Sequence, residues 1–264
     1  MEILKFTSCQ AEIAEFIGQA VAAYAAERLS MPTAFVNNIA WQTREQMFDA
    51  DEIQVAWICG VPYVWKADRA AAIELLAAPV MAAKRYQGQP VYYSDIVVHS
   101  ASRFQTFADL RNASWAYNEP HSHSGYHTVR FHLAQIGERS NYFGTVLESG
   151  AHQTTLQWLV DRQIDASAVD STVLELAYER DPTLHQHLRV IGTLGPSPIP
   201  PWVIRRSVPL EMRHALRQLL LHMHEDQIGQ AILARSQMAC FVAVTDQDYD
   251  PIRQMLRAAD GIIL

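Results

Sequence analysis

Short apolar runs alternate with helical patterns along most of this chain. Ile3–Thr7 predicts a strand, and Gln10–Leu29 then predicts an amphipathic helix. The apolar positions of that helix have the spacing of one helical face: Ile13, Phe16, Ile17, Ala20, Val21 and Tyr24. Further segments continue the alternation: strand Thr33–Asn37, helix Thr43–Asp49 and strand Gln54–Cys59. This order predicts an α/β protein built on a largely parallel sheet.

The alternation begins again near residue 100, after a longer predicted strand at Val91–Val98. The later predicted strands are Ser114–Tyr117, Phe143–Leu147, Ile164–Val169, Leu188–Thr193 and Cys240–Val244. The later predicted helices are Ser122–Ile136, His152–Asp161, Ser171–Arg180, Leu210–His222, Glu225–Ser236 and Asp250–Ala259. The Pro-rich stretch 195–201 predicts a stiff, irregular segment. This second start of the strand and helix alternation predicts an inserted lobe.

We therefore expect two lobes. Residues 1–97 together with 195–264 would form the first, and residues 98–194 would form the second. Two strand crossings, near Tyr93 and at 189–191, would make a hinge. Such an arrangement favours closure around a ligand in a cleft.

Composition narrows the function classes. A net charge of −7 and the lack of a basic run argue against nucleic-acid binding, which needs clustered Lys and Arg. No segment has the roughly 18 to 20 apolar residues of a membrane span. The three cysteines, Cys9, Cys59 and Cys240, give neither a disulfide framework nor zinc spacing. The start at Met1 lacks the basic and apolar pattern of a secretory signal, so we expect a cytoplasmic protein if Met1 is native. It would be periplasmic if a signal was removed.

The segment from Asn118 to Tyr126 is the strongest candidate for a binding site. A predicted strand ends, Pro120 interrupts regular structure, and Ser122-His123-Ser124-Gly125 opens a predicted helix. Free N–H groups and the dipole at a helix start suit an oxyanion without any Arg. A simple capped helix explains the same residues, because Ser is a preferred capping residue.

Two other strand-to-helix junctions carry polar residues, at Ser149–His152 and at Val169–Ser171. In an open α/β sheet such junctions lie at the carboxyl edge, where ligands bind. Three polar junctions at one edge favour a binding site over three unrelated caps.

Four stretches in this order and spacing resemble a known family: residues 55–60 with Tyr63, residues 92–98, residues 118–126, and residues 150–152 followed by 164–171. They are similar to the phosphonate, phosphite and phosphate binding proteins of ABC transporters, and residues 245–253 share the likeness. The resemblance implies the two-lobed type 2 periplasmic-binding fold. It also implies a non-catalytic, monomeric protein that holds a small oxyanion for a transporter permease and needs no cofactor.

The resemblance also implies site residues. The family's anion-binding turn corresponds to Ser122, His123, Ser124 and Gly125. A family His corresponds to His152 and an acidic residue to Asp170. An aromatic of the hinge strand corresponds to Tyr93 or Tyr92, and one of the first lobe falls near Trp41.

His123 departs from the family, which has Thr at that position, and the departure bears on which ligand binds. With His121, His127 and His132 it also invites a metal interpretation, which we disfavour because no carboxylate or Cys completes the set. Two functional alternatives stay open. One is a cytoplasmic ligand sensor, and the other is a biosynthetic enzyme on the same fold that acts on a small anionic metabolite.

Overall fold

The computed structural model describes residues 3–69 and 72–264. The chain divides into two compact units, the first made of residues 1–91 and 198–249, the second of residues 92–197 and 250–264. The sequence placed residues 250–264 in the first lobe, and this division places them in the second unit. The reason is packing: Ala259 and Ile262 belong to the apolar core of the second unit.

The elements of the first 91 residues are β1 (Leu4–Ser8), α1 (Glu15–Arg28), β2 (Thr33–Val36), α2 (Trp41–Asp49), β3 (Val55–Trp57), α3 (Gly60–Asp68), β4 (Ile73–Met81) and the start of β5 (Val91–His99). Helix α1 buries Ile17, Val21 and Tyr24 of the predicted face, whereas Phe16 and Ala20 are half-buried. No element was predicted between Gly60 and Val91, where α3 and β4 lie.

The elements of the next segment are β6 (Ser114–Tyr117), α4 (Thr128–Gln135), β7 (Thr145–Glu148), α5 (His152–Val160), β8 (Ala166–Asp170), α6 (Ser171–Arg180), α7 (Leu184–His187) and β9 (Leu188–Pro198). Strand β9 extends into the stretch predicted to be irregular, as far as Pro198. The remaining elements are β10 (Trp202–Arg205), α8 (Leu210–Leu221), α9 (Gln227–Arg235), β11 (Met238–Val242) and α10 (Asp250–Ala258).

The first unit contains a six-stranded sheet in the order β11-β4-β10-β3-β1-β2. Strands β2, β1 and β3 are parallel, whereas β10, β4 and β11 pair antiparallel with their neighbours. The sheet is therefore mixed, not largely parallel. Antiparallel β10 packs Trp202 on Trp57 of β3, with ring centroids 5.8 Å apart.

The second unit contains a five-stranded sheet in the order β7-β6-β8-β5-β9. Strand β6 pairs parallel with both β7 and β8, and β8 pairs antiparallel with β5. Trp115 of β6 is fully buried and stacks on Phe143 at 4.4 Å between ring centroids. The parallel trio places the carboxyl ends of β7, β6 and β8 at one edge.

Helix α10 completes the core of the second unit, where it packs on α4. Arg130 of α4 donates to the carbonyls of Ala259 (2.9 Å) and Ile262 (2.8 Å) and so fixes the chain after α10. Among the residues described, no helix is both long and apolar enough to cross a membrane.

Candidate functional site

The turn that follows β6 carries the residues that the sequence singled out. Ser122 caps it, since its Oγ accepts from the Gly125 N–H at 3.1 Å. His123–His127 forms one π-helical turn before α4, with the His127 N–H donating to the Ser122 carbonyl at 3.1 Å. The sequence predicted a single regular helix here. We call residues Ser122 to Gly125 the Ser122 turn.

The wider hydrogen-bond spacing of the π turn leaves donors free at its start. The first N–H groups of any helix have no acceptor within the helix. In the Ser122 turn, the N–H of Gly125 donates to the cap and that of Ser122 donates to the Glu119 carbonyl, whereas those of His123 and Ser124 have no acceptor among the described residues. The N–H groups of His123 and Ser124 and the hydroxyl hydrogen of Ser122 are thus available to a ligand. Ser122, His123 and Ser124 are each at most 4% exposed, so water competes weakly for these donors.

Three strand ends converge as predicted. The Ser122 turn follows β6, His152 begins α5 after β7, and Asp170 ends β8 and caps α6. Because these strands are neighbours and parallel, the three junctions share one edge of the sheet. Strand β8 also packs directly against the π turn.

His152 contacts the Ser122 turn directly. Its Nε2 lies 3.4 Å from Ser124 Oγ, while its Nδ1 is buried and has no partner in the described chain. Burial lowers the pKa of His152 to about 4, so the ring is neutral at physiological pH. A neutral imidazole carries one donor and one acceptor.

His123 is also buried and neutral. Its Nε2 lies 2.9 Å from Ser197 Oγ, and its Nδ1 has no partner among the described residues. Burial lowers its pKa to about 4. The site therefore presents hydrogen-bond donors but no fixed positive charge from either histidine.

Asp170 has both a structural role and a raised pKa. Its Oδ1 accepts from the Thr172 N–H (2.8 Å) and the Thr172 hydroxyl (2.7 Å), which caps α6. Burial, with a smaller contribution from Asp95, raises the pKa of Asp170 to about 6 despite those hydrogen bonds. Asp95 of β5 is itself buried and accepts from the Thr193 hydroxyl at 2.8 Å.

Of the three aromatic candidates, two lie in the second unit and one lies in the first. Tyr92 is buried, and its ring centroid lies 6.3 Å from that of His123. Tyr93 is half-buried, and its backbone N–H donates to Ser171 Oγ at 3.0 Å. Trp41 begins α2 in the first unit and is not part of this second-unit group.

Several neighbours were not predicted as site residues. Ser197 was assigned to a stiff connecting stretch and Asp95 to a strand, and Ser171 was placed at a polar junction without a role as a site residue. Asn118, within the predicted segment, approaches Gly125 so closely that a Cβ there would lie 2.0 Å from its Oδ1. This Oδ1 is buried with no partner in the described chain.

The metal interpretation finds no matching geometry in the part of the chain that the structure describes. No group of three or more His, Cys, Asp or Glu side chains there could hold an ion. His132 instead packs edge-on against Phe107, with ring centroids 4.5 Å apart.

Comparison with known proteins gives a consistent result. A family model described as "ABC transporter, phosphonate, periplasmic substrate-binding protein" matches residues 12–249. A binding-protein component of a phosphonate ABC transporter from Pseudomonas aeruginosa is 19% identical, with a TM-score of 0.82 over 96% of this chain and 85% of that one. PhnD1 from Prochlorococcus marinus, solved with methylphosphonate, is 16% identical, with a TM-score of 0.86 over 98% and 99%.

A more distant similarity is to the aliphatic sulphonate binding protein SsuA from Escherichia coli, 15% identical with a TM-score of 0.61 over 98% of this chain and 86% of that one. At these identities the structural matches establish the fold alone. They confirm the predicted two-lobed periplasmic-binding fold.

Proposed function

Because this chain belongs to the family of periplasmic substrate-binding proteins of phosphonate ABC transporters, we propose that it binds a small phosphonate at the Ser122 turn. The observation that carries this proposal is a buried helix start where the N–H groups of His123 and Ser124 and the hydroxyl hydrogen of Ser122 have no acceptor among the described residues. Such groups bind tetrahedral oxyanions with directed hydrogen bonds. The solved complex of PhnD1 with methylphosphonate supports the choice of ligand class.

The charge state of the site favours a singly charged ligand. His123 and His152 are neutral and supply no cation, while Asp170 has a raised pKa near 6 and is largely ionised at pH 7.5. A dianion beside this carboxylate would be repelled. A phosphonate that keeps one proton can donate it to Asp170 and accept from the Ser122 turn.

The same features argue for binding without turnover. Ser122 Oγ is engaged as a cap, and Ser124 Oγ lies at the long distance of 3.4 Å from a histidine of low pKa. Such a histidine is a weak general base, so neither serine is activated as a nucleophile. We propose that the protein delivers its ligand to a transporter permease in the periplasm.

Calorimetric titration of the purified full chain with methylphosphonate, phosphite, phosphate, sulfate and acetate tests this function. We expect methylphosphonate to bind and acetate not to bind. The Ser122→Ala, Ser124→Ala double variant should lose methylphosphonate binding at least 100-fold. Ser140→Ala, an exposed serine of the same unit, is the matched control.

Ligand-linked stabilisation gives an independent measure. At 100 times the dissociation constant it amounts to about 2.7 kcal/mol. An unchanged affinity in the double serine variant would disprove the site. Conversion of methylphosphonate, followed by phosphorus NMR, would disprove the non-catalytic role.

A further inference from the structure

The second unit has a polar cavity at the opposite end of its sheet from the Ser122 turn. Its volume is about 630 Å³, within the range of small-molecule sites. Ala113 lines it just before β6 begins, and Ile164 and Asp165 line it just before β8 begins. Since those strands are four and five residues long, the two regions lie about 15 Å apart. We call this the His99 cavity.

Two hydrogen-bond donors face each other in the His99 cavity. His99 Nδ1 accepts from the Ala101 N–H at 3.1 Å, so a neutral ring carries its hydrogen on Nε2. Arg162 Nε also points its hydrogen at His99 Nε2, at 3.4 Å. A neutral imidazole cannot accept at both nitrogens, and a protonated one can accept at neither. The shorter contact at Nδ1 favours the tautomer with the hydrogen on Nε2. In that tautomer the hydrogens of His99 Nε2 and Arg162 Nε point at each other and have no acceptor among the described residues, and an anion would supply one.

The charge lining the cavity is predominantly positive. Arg103 and Arg162 have no carboxylate partner among the described residues, whereas Arg111 pairs with Glu138. The lining carboxylate, Asp165, is occupied, because its Oδ2 accepts from the Ser114 N–H and hydroxyl at 2.8 Å each. Asp165 keeps its single negative charge, which stands against three arginines in the lining.

The cavity wall is held in place, although loops form much of it. Arg189 donates to the carbonyls of Ser100, Ser102 and Phe104 and so fixes the loop that carries Arg103. Arg162 follows α5 in the left-handed conformation common at helix C-termini, with φ of 58°. Its N–H and that of Gln163 donate to the carbonyls of Leu159 and Trp158, and these bonds fix its backbone.

We propose that the His99 cavity is a second anion site, which takes a small molecule carrying a phosphate or pyrophosphate group. The planar guanidinium groups of Arg103 and Arg162 match phosphate oxygens in bidentate geometry. His99 Nε2 supplies a third donor. The buried side chains of Phe104 and Ile164 form an apolar floor for an organic substituent.

Pyrophosphate is a suitable probe, followed by ¹⁵N-labelled amide NMR on the full chain. The Ser122→Ala, Ser124→Ala background removes competition from the Ser122 turn. We expect saturable shifts at residues 99–104, 111–113 and 162–165. Sodium chloride at equal ionic strength should not produce them.

Arg103→Gln with Arg162→Asn should weaken pyrophosphate binding at least tenfold. Asn tolerates the left-handed backbone at position 162 better than most residues. Arg257→Gln, an exposed arginine outside the cavity, should change the affinity less than twofold. Equal affinity in both variants, or shifts that sodium chloride reproduces, would overturn the proposal. Methylphosphonate binding at the Ser122 turn is measured separately, so either site can fail alone.

Discussion

Replacing Asp170 with Asn should make the ligand-free protein more stable at neutral pH. The carboxyl is only 7% exposed, and its pKa rises from an ordinary 3.8 to about 6. Each pKa unit corresponds to about 1.4 kcal/mol, so the ionised group costs about 3 kcal/mol of folding free energy at pH 7.5. A neutral amide avoids that cost.

Part of this gain in stability is lost at the N-cap of α6. Asn keeps the oxygen that accepts from Thr172, and Asn and Asp are comparable capping residues. The Val173 N–H also bonds to the carboxylate, and weakening that bond should subtract about 1 kcal/mol. The expected net stabilisation at pH 7.5 is therefore about 2 kcal/mol.

The pH dependence provides the sharper criterion. A carboxyl with a raised pKa contributes most favourably below its unfolded pKa, and that contribution is lost as pH rises through about 6. At pH 4.5 the cost in the wild type falls to about 1 kcal/mol, so the advantage of Asp170→Asn should nearly vanish. Wild type and Asp170→Asn both contain His123 and His152. Subtracting their unfolding free energies therefore cancels the titration of these two histidines.

Urea unfolding at pH 7.5 and 4.5 measures these differences. Asp161→Asn is the matched control, because Asp161 is an exposed aspartate of the same unit. Equal stability of Asp170→Asn and wild type at pH 7.5, or the same gain at both pH values, would refute the reasoning. A confirmed gain would identify Asp170 as a carboxylate whose burial costs stability, as is common for functional groups.

Other substitutions test the surrounding structure. Gly125→Ala should cost about 1 to 3 kcal/mol in urea unfolding and weaken methylphosphonate binding more than tenfold, because its Cβ would meet Asn118 Oδ1 at 2.0 Å. Adding Asn118→Ala should recover most of the stability. Arg130→Met should accelerate hydrogen exchange after α10, because two carbonyls there lose their donor, while exchange in the first unit stays unchanged. Ser197→Ala should cost about 1 to 2 kcal/mol by leaving His123 Nε2 unpaired, and Ser197→Thr should cost less.

Local pattern was sufficient for much of the second unit. β6 and α6 have the predicted bounds. The polar Asn118 follows the strand β6, and the capping Asp170 directly precedes α6. The same alternation of strands and helices predicted that His152 begins the helix after β7 and that Asp170 directly follows a strand. The edge that they share with the Ser122 turn then follows from parallel pairing.

The sequence pattern did not predict α3 and β4, because their local signals are ambiguous. Helix α3 begins Gly60-Val61-Pro62, which resembles a turn, but Pro is tolerated in a first helical turn. Strand β4 contains Pro79, which disfavours a strand assignment, yet it pairs with β10 and β11. Pairing with β10 and β11 therefore decided β4.

The details of the site depended on distant contacts. His123 and Ser197 are 74 positions apart, and His99 and Arg162 are 63 apart. No short window of sequence brings such pairs together. The π turn at His123–His127 is likewise a choice of hydrogen-bond register that composition does not specify.

The assignment of residues 250–264 to the second unit has a consequence for synthesis of the chain. Residues 92–197 emerge from the ribosome well before α10, and residues 198–249 of the first unit come between them. The nascent second unit therefore lacks the core contributions of Ala259 and Ile262 and both carbonyl acceptors of Arg130 until residues 250–264 have been synthesised. During that interval its exposed apolar surface is a natural target for chaperones.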